Sequence, residues 1–199
     1  MNHLAHALLV ADDEALMLGG LLGDFVHGAI PESYPERVRA GIRLHRAIDV
    51  FTDGHPAVHA ARATFVAPFR RYAGILLDVW FDHLLARDFV RWSAEPLDVF
   101  SARLQALLTA NAMRLPAGLA RFAAYMRRHN LPRAYAEPAV IGQVLTGIGG
   151  RLRHANPLER ALPELLARKT LLAASFTAFF PALIKHVQAL RGRQTMACC

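Results

Sequence analysis

Apolar residues recur every three or four positions along nearly the whole chain, and no stretch alternates with period two over a strand's length. The pattern predicts an all-α protein. Helices are expected over residues 2–10, 14–27, 35–53, 57–71, 75–92, 97–111, 117–129, 140–153 and 162–190, the last bending at Pro181. The breaks fall at turn-forming residues. Asp12 and Asp13 can cap the second helix. Pro31, Ser33 and Pro35 make a loop, Gly54 and Pro56 end the third helix, and Pro116, Pro132, Pro138 and Pro157 separate the later ones. With no repeat, low-complexity tract or linker, the chain reads as a single-domain helical bundle over residues 1–191, followed by a disordered tail over 192–199.

Some polar residues interrupt the apolar stripes. In the helix after residue 75, Ile75, Asp78, Asp82, Leu85 and Phe89 are spaced by three and four, so two carboxylates lie on a core-facing stripe. Burying such groups unpaired costs several kcal/mol or shifts their pKa strongly, so they call for a metal, arginines or protonation. His83 follows Asp82 directly. Asp24 shares a face with Met17 and Leu21, in a helix where Gly19, Gly20 and Gly23 let a partner helix or a ligand come close. His6 stands among Leu4, Ala5 and Leu8. In residues 41–53, GIRLHRAIDVFTD, His45 and Asp49 are four apart beside the stripe Leu44, Ile48 and Phe51, with Arg43 and Arg46 on the same turns.

Together these residues put acids and imidazoles on core-facing stripes of four helices. His6, Asp24, His45, Asp49 and Asp82 are candidate metal ligands. Oxygen and imidazole donors without thiolate suit manganese, magnesium or iron rather than structural zinc. Arg43 and Arg46 are candidate phosphate-binding residues, and Asp78, His83 and Arg46 are candidates for catalysis. The competing structural reading is a buried salt-bridge network between the same aspartates and the arginines.

Composition narrows the setting. Hydrophobic residues make up 54% of the 199, yet no apolar run reaches the length of a membrane span; 171–184 comes nearest and reads as a core helix. The N-terminus lacks the basic region of a signal peptide. Cys198 and Cys199, adjacent at the end, offer no disulfide framework, so a reducing cytoplasm is expected. The net charge of +7 comes from 21 arginines and two lysines, which suits an acidic partner: nucleic acid, an anionic membrane or an acidic protein. There is no G-x-G-x-x-G, Walker loop, G-x-S-x-G or H-E-x-x-H, and a serine or cysteine nucleophile has no support.

An ordered set of segments resembles the acyl carrier protein phosphodiesterases. It comprises NHLAH at the start, GDFVHG at 23–28, LHRAIDVFTDGHPAV at 44–58, LDVWFDHLLARDF at 77–89 and QVLTGIGGR at 143–151. The resemblance implies a helical fold related, in altered form, to the metal-dependent HD phosphohydrolases. It implies hydrolysis of the phosphodiester joining 4′-phosphopantetheine to a serine of holo acyl carrier protein, with a divalent cation, commonly manganese. The partner it implies is the acidic carrier protein rather than nucleic acid; on charge, arginine-rich stretches such as 121–133, outside the matching segments, are expected to meet it. His3 stands where the family pattern is expected to carry an aromatic or apolar residue and is not carried over as a ligand. Two alternatives remain: an HD-type phosphohydrolase of nucleotides, and a non-catalytic helical binding protein with buried Asp–Arg pairs.

Overall fold

The computed structural model describes residues 3–196, with side chains described through residue 193. Asn2, the expected start of the first helix, and residues 197–199, with Cys198 and Cys199, lie outside the described residues. Among the described residues there are ten α-helices and no strand: α1 (His3–Leu8), α2 (Glu14–Leu22), α3 (Glu36–Gly54), α4 (Pro56–Ala63), α5 (Ala73–Arg87), α6 (Leu97–Ala110), α7 (Ala117–Arg128), α8 (Pro138–Gly149), α9 (Leu162–Ala167) and α10 (Lys169–Met196).

The axis of the molecule is α5. Leu76, Leu77, Val79, Trp80, Phe81, Leu84, Leu85 and Ala86 are buried on every side of it, as expected of a helix surrounded by others. It packs against α1, α4, α8, α10 and the turn at Arg133–Ala136. Asp82 lies within this apolar surround. Its two carboxylate oxygens accept the backbone N–H groups of Leu4 (2.9 Å) and Ala5 (3.2 Å). A side chain from the central helix therefore caps the first turn of α1, whose N–H groups have no partner within their own helix.

The second organising contact is the crossing of α2 over α3. A Cβ at Gly19 would lie 2.7 Å from Gly41 Cα, and one at Gly41 would lie 2.9 Å from Gly19 Cα. The two backbones touch, which only glycine at both positions allows. Asp13 begins α2 by accepting Leu16 N–H at 2.9 Å, as its position in the sequence suggests.

Several expected boundaries change: α4 ends at Ala63 rather than at 71, α5 ends at Arg87 with a 3₁₀ turn at Phe89–Arg91 rather than running to 92, and the expected helix 162–190 is divided into α9 and α10. The second helix does not run to residue 27: it ends at Leu22, tightens into a 3₁₀ turn at Gly23–Phe25, and leaves the helical path before Gly28, which has φ +70°. Helix α8 stops at Gly149, short of the expected 153. Helix α10 runs unbroken through Pro181 to Met196, so residues 192–196 are helical rather than a tail. Leu172, Phe176, Phe179, Phe180, Leu183 and Val187 form its buried stripe. Because the helix is continuous, Lys169–Arg193 is long and apolar enough by length and composition to cross a membrane, contrary to the reading of 171–184 as too short. Its stripe is spent on the core.

Candidate functional site

Where α1, the Gly23–Phe25 turn and α3 meet, two histidines and two carboxylates converge. His45 is nearly fully buried, and its Nδ1–H donates to the Gly20 carbonyl at 2.7 Å. In the neutral ring, that bond puts the proton on Nδ1 and leaves Nε2 with a lone pair. Nε2 lies 3.1 Å from Asp49 Oδ2 and 3.4 Å from Asp24 Oδ1. His6 stacks on the His45 ring at 3.8 Å between centroids, with its Nε2 3.2 Å from Asp49 Oδ1. His3 approaches from the other end of α1, its Nδ1 3.6 Å from Asp24 Oδ2.

The local sequence explains this convergence. The i,i+4 spacing puts His45 and Asp49 one above the other on α3. Gly23 carries no side chain where the His45 ring passes; a Cβ there would come within 2.5 Å of His45 Nδ1 and closer still to ring carbons. The tightened turn after Leu22 brings Asp24 round to face His45. Arg46, half-buried, donates to the Val26 carbonyl at 2.8 Å and ties that turn to α3.

The electrostatics follow from the crowding. Burial lowers His3 and His6 to about 4. Burial would lower His45 as well, but its bonds to Asp24 and Asp49 outweigh it and raise the group to about 9. Burial would raise both carboxylates, yet the neighbouring imidazoles hold Asp24 and Asp49 far below the ordinary carboxylate range.

The donor set fits a divalent cation. Ligand atoms of His6, His45 and Asp49 lie within 4.8 Å of one another, and Asp24 faces the same His45 nitrogen. Neither ring nitrogen of His6 has a hydrogen-bond partner of sound geometry, although the residue is buried. A lone pair on His45 Nε2 facing two carboxylates is repulsive unless something positive stands between them. A proton can serve, and so can a metal.

The other candidates lie elsewhere or act differently. Asp82 spends both oxygens on the backbone of α1, and burial raises it to about 7 against the two N–H bonds that lower it. It therefore fixes the helix that carries His3 and His6, rather than joining the facing ligand atoms. Asp78 is half-buried one turn earlier, close enough for its charge to act on Asp82. His83 donates from Nδ1 to the Tyr135 carbonyl at 2.8 Å and packs on Trp80. Burial lowers its pKa. Its bond to Tyr135 holds the turn at Arg133–Ala136 against α5, and His83 is not one of the residues whose ligand atoms face one another in the cluster. Arg43 is two residues before His45, about 200° round the helix. It pairs with Glu36 on the exposed face, turned away from the cluster, and is not placed to hold a phosphate there.

Sequence reasoning missed a cleft of about 370 Å³ beside the cluster. It is lined by His3, Phe25, Phe122, Tyr125, Tyr135 and Ile148, together with Val144, Gly147 and Arg151. The clue was available in His3 and His6, three apart and so on neighbouring faces of one helix.

Comparison with known proteins supplies the family. The family model described as acyl carrier protein phosphodiesterase matches residues 1–183. A protein of that name from Yersinia enterocolitica serotype O:8 / biotype 1B is 34% identical over 189 residues, covering 94% of this chain and 98% of the relative. Another from Shigella boydii serotype 4 is 35% identical over 185 residues, covering 92% and 96%. A third from Escherichia coli O45:K1 is 34% identical over 187 residues, covering 94% and 97%. No solved structure matches the chain.

Proposed function

The chain belongs to the acyl carrier protein phosphodiesterase family, hydrolases acting on a phosphodiester, and from that premise we propose that it frees 4′-phosphopantetheine from the serine of holo acyl carrier protein, leaving the apo protein. In this reading His6, Asp24, His45 and Asp49 hold one divalent cation, manganese first among the candidates, in an altered HD-type centre. Bound there, the cation supplies Lewis acidity toward a phosphoryl oxygen and the attacking water.

The protein's own residues prepare that site. The Gly20 carbonyl holds the His45 tautomer that can ligate, as partners of metal-binding histidines commonly do. Arg46 fixes the turn that presents Asp24. Asp82 fixes the short helix that presents His6. The observation that carries the proposal is His45 Nε2, aimed between two carboxylates from different elements and stacked against a second imidazole.

The test is incubation with holo acyl carrier protein and manganese, read by intact mass. The expected result is loss of the phosphopantetheine mass from the carrier and its appearance as the free small molecule, abolished by a chelator. Release that persists in chelator would overturn the metal assignment. No release, with turnover of a nucleotide panel instead, would favour the nucleotide phosphohydrolase.

A further inference from the structure

We propose, building on that function, that the cleft beside the cluster is the seat of the substrate's pantetheine arm, and that the folded carrier protein stays outside it.

The cleft and the cluster share a wall. His3 lines the cleft and reaches Asp24 at 3.6 Å, while Phe25, next to Asp24 in sequence, lines it too. His3 packs on Phe122 at 4.2 Å between centroids and on Phe25 at 6.1 Å. A diester held at the cluster therefore has one substituent directed along this aromatic wall.

Size decides which substituent. The cleft volume, about 370 Å³, lies in the range of about 300–1,000 Å³ usual for small-molecule sites. A volume of that order holds a linear small-molecule chain, not a folded protein. The lining matches the chain's chemistry. The arm has a dimethyl-substituted carbon, two amides and a terminal sulfur, and bears no charge beyond its phosphate. Phe25, Phe122, Val144 and Ile148 offer apolar walls, and the Tyr125 hydroxyl lies 4.0 Å from where a Cβ on Gly147 would stand. Arg151 lines the same cleft as His3 and adds a cation to it.

Gly147 provides the test. It lies on α8 facing the cleft, and nothing else is within 4.0 Å of a Cβ built there. Gly147→Leu fills the cleft from a helix position that accepts leucine readily and touches none of the four cluster residues. Three measurements are made on the wild-type protein and on this variant: kcat/KM for holo acyl carrier protein, hydrolysis of bis(p-nitrophenyl) phosphate, and calorimetric binding of free 4′-phosphopantetheine with manganese present. The expected result is a loss of tenfold or more in kcat/KM and in 4′-phosphopantetheine affinity, with the small diester and manganese stoichiometry unchanged. Wild-type kcat/KM and affinity in Gly147→Leu would overturn the cleft assignment, as would an equal loss on the small diester. If the wild-type protein binds 4′-phosphopantetheine, loses that binding in the variant, and yet never cleaves holo carrier, the proposed reaction falls and the cleft assignment stands.

Discussion

Gly23→Ala should disable the cluster without altering any residue in it. The added methyl group would overlap the His45 ring at Cγ, close to its attachment, where no flexible end can swing away. The ring is also held by the Gly20 carbonyl and by the stack with His6, so it yields only by giving up both. Overpacking of this kind costs about 1–3 kcal/mol, and the lost hydrogen bond adds about 1 kcal/mol. Disturbing the support of a metal-binding histidine typically lowers metal affinity about 10–100-fold. The assay is manganese titration by calorimetry, paired with melting temperature in chelator and in excess manganese. Gly23→Ala should melt lower than wild type in chelator and lose most of the manganese-dependent rise. Gly54→Ala, where an added Cβ meets nothing within 4 Å, is the control for the glycine change itself. A Gly23→Ala protein with wild-type manganese affinity would refute the geometry on which the site is built.

Three further outcomes are expected. Asp82→Asn replaces one acceptor with a donor facing a backbone N–H of α1, costing about 1–3 kcal/mol, and should weaken manganese binding while circular dichroism stays helical. In metal-free protein the raised pKa of His45 contributes stability that is complete below about 6.5 and lost as pH rises through about 9, so the melting temperature should fall across that window and stay flatter in His45→Gln. Turnover of limiting holo carrier should fall steeply with salt and with charge reversal at the exposed Arg127 and Arg128, while a small diester responds much less.

The fold class was legible because almost every helix here is amphipathic or buried, and periodicity of 3.6 reports both. Helix ends were less legible. The tightening at Gly23–Phe25 depends on the His45 ring occupying the space above Gly23, a contact between residues 22 positions apart that no local pattern contains. The close approach suggested by Gly19 is realised, backbone to backbone, at Gly41. At the site, His6, Asp24, His45 and Asp49 stood out because polar side chains on apolar stripes need a partner, and they prove to be one another's. The arginines misled for a geometric reason. Sharing a turn with His45 says nothing about sharing a face, and Arg43 points to the opposite side. Arg46 does reach the site, through a carbonyl.

Asp82 shows why a buried acid is an ambiguous sign. On sequence it is indistinguishable from Asp24 or Asp49: a carboxylate at an apolar position, in need of something positive. Two backbone N–H groups at a helix start meet part of that need, because they carry the positive end of the helix dipole, and burial still raises the group to about 7. The recipient is a helix of six residues, too short to be stable alone in water. Yet this helix carries two of the three histidines that face the carboxylates. A short helix cannot be rigid by its own hydrogen bonds, so its rigidity must come from the core, and the buried centre of α5 is the part of the core that reaches its first turn. The carboxylate that caps α1 therefore belongs on that helix, and burying it there is the cost of holding His6 in register with His45. Asp24 and Asp49 face imidazoles, whereas Asp82 faces backbone and fixes the position of α1.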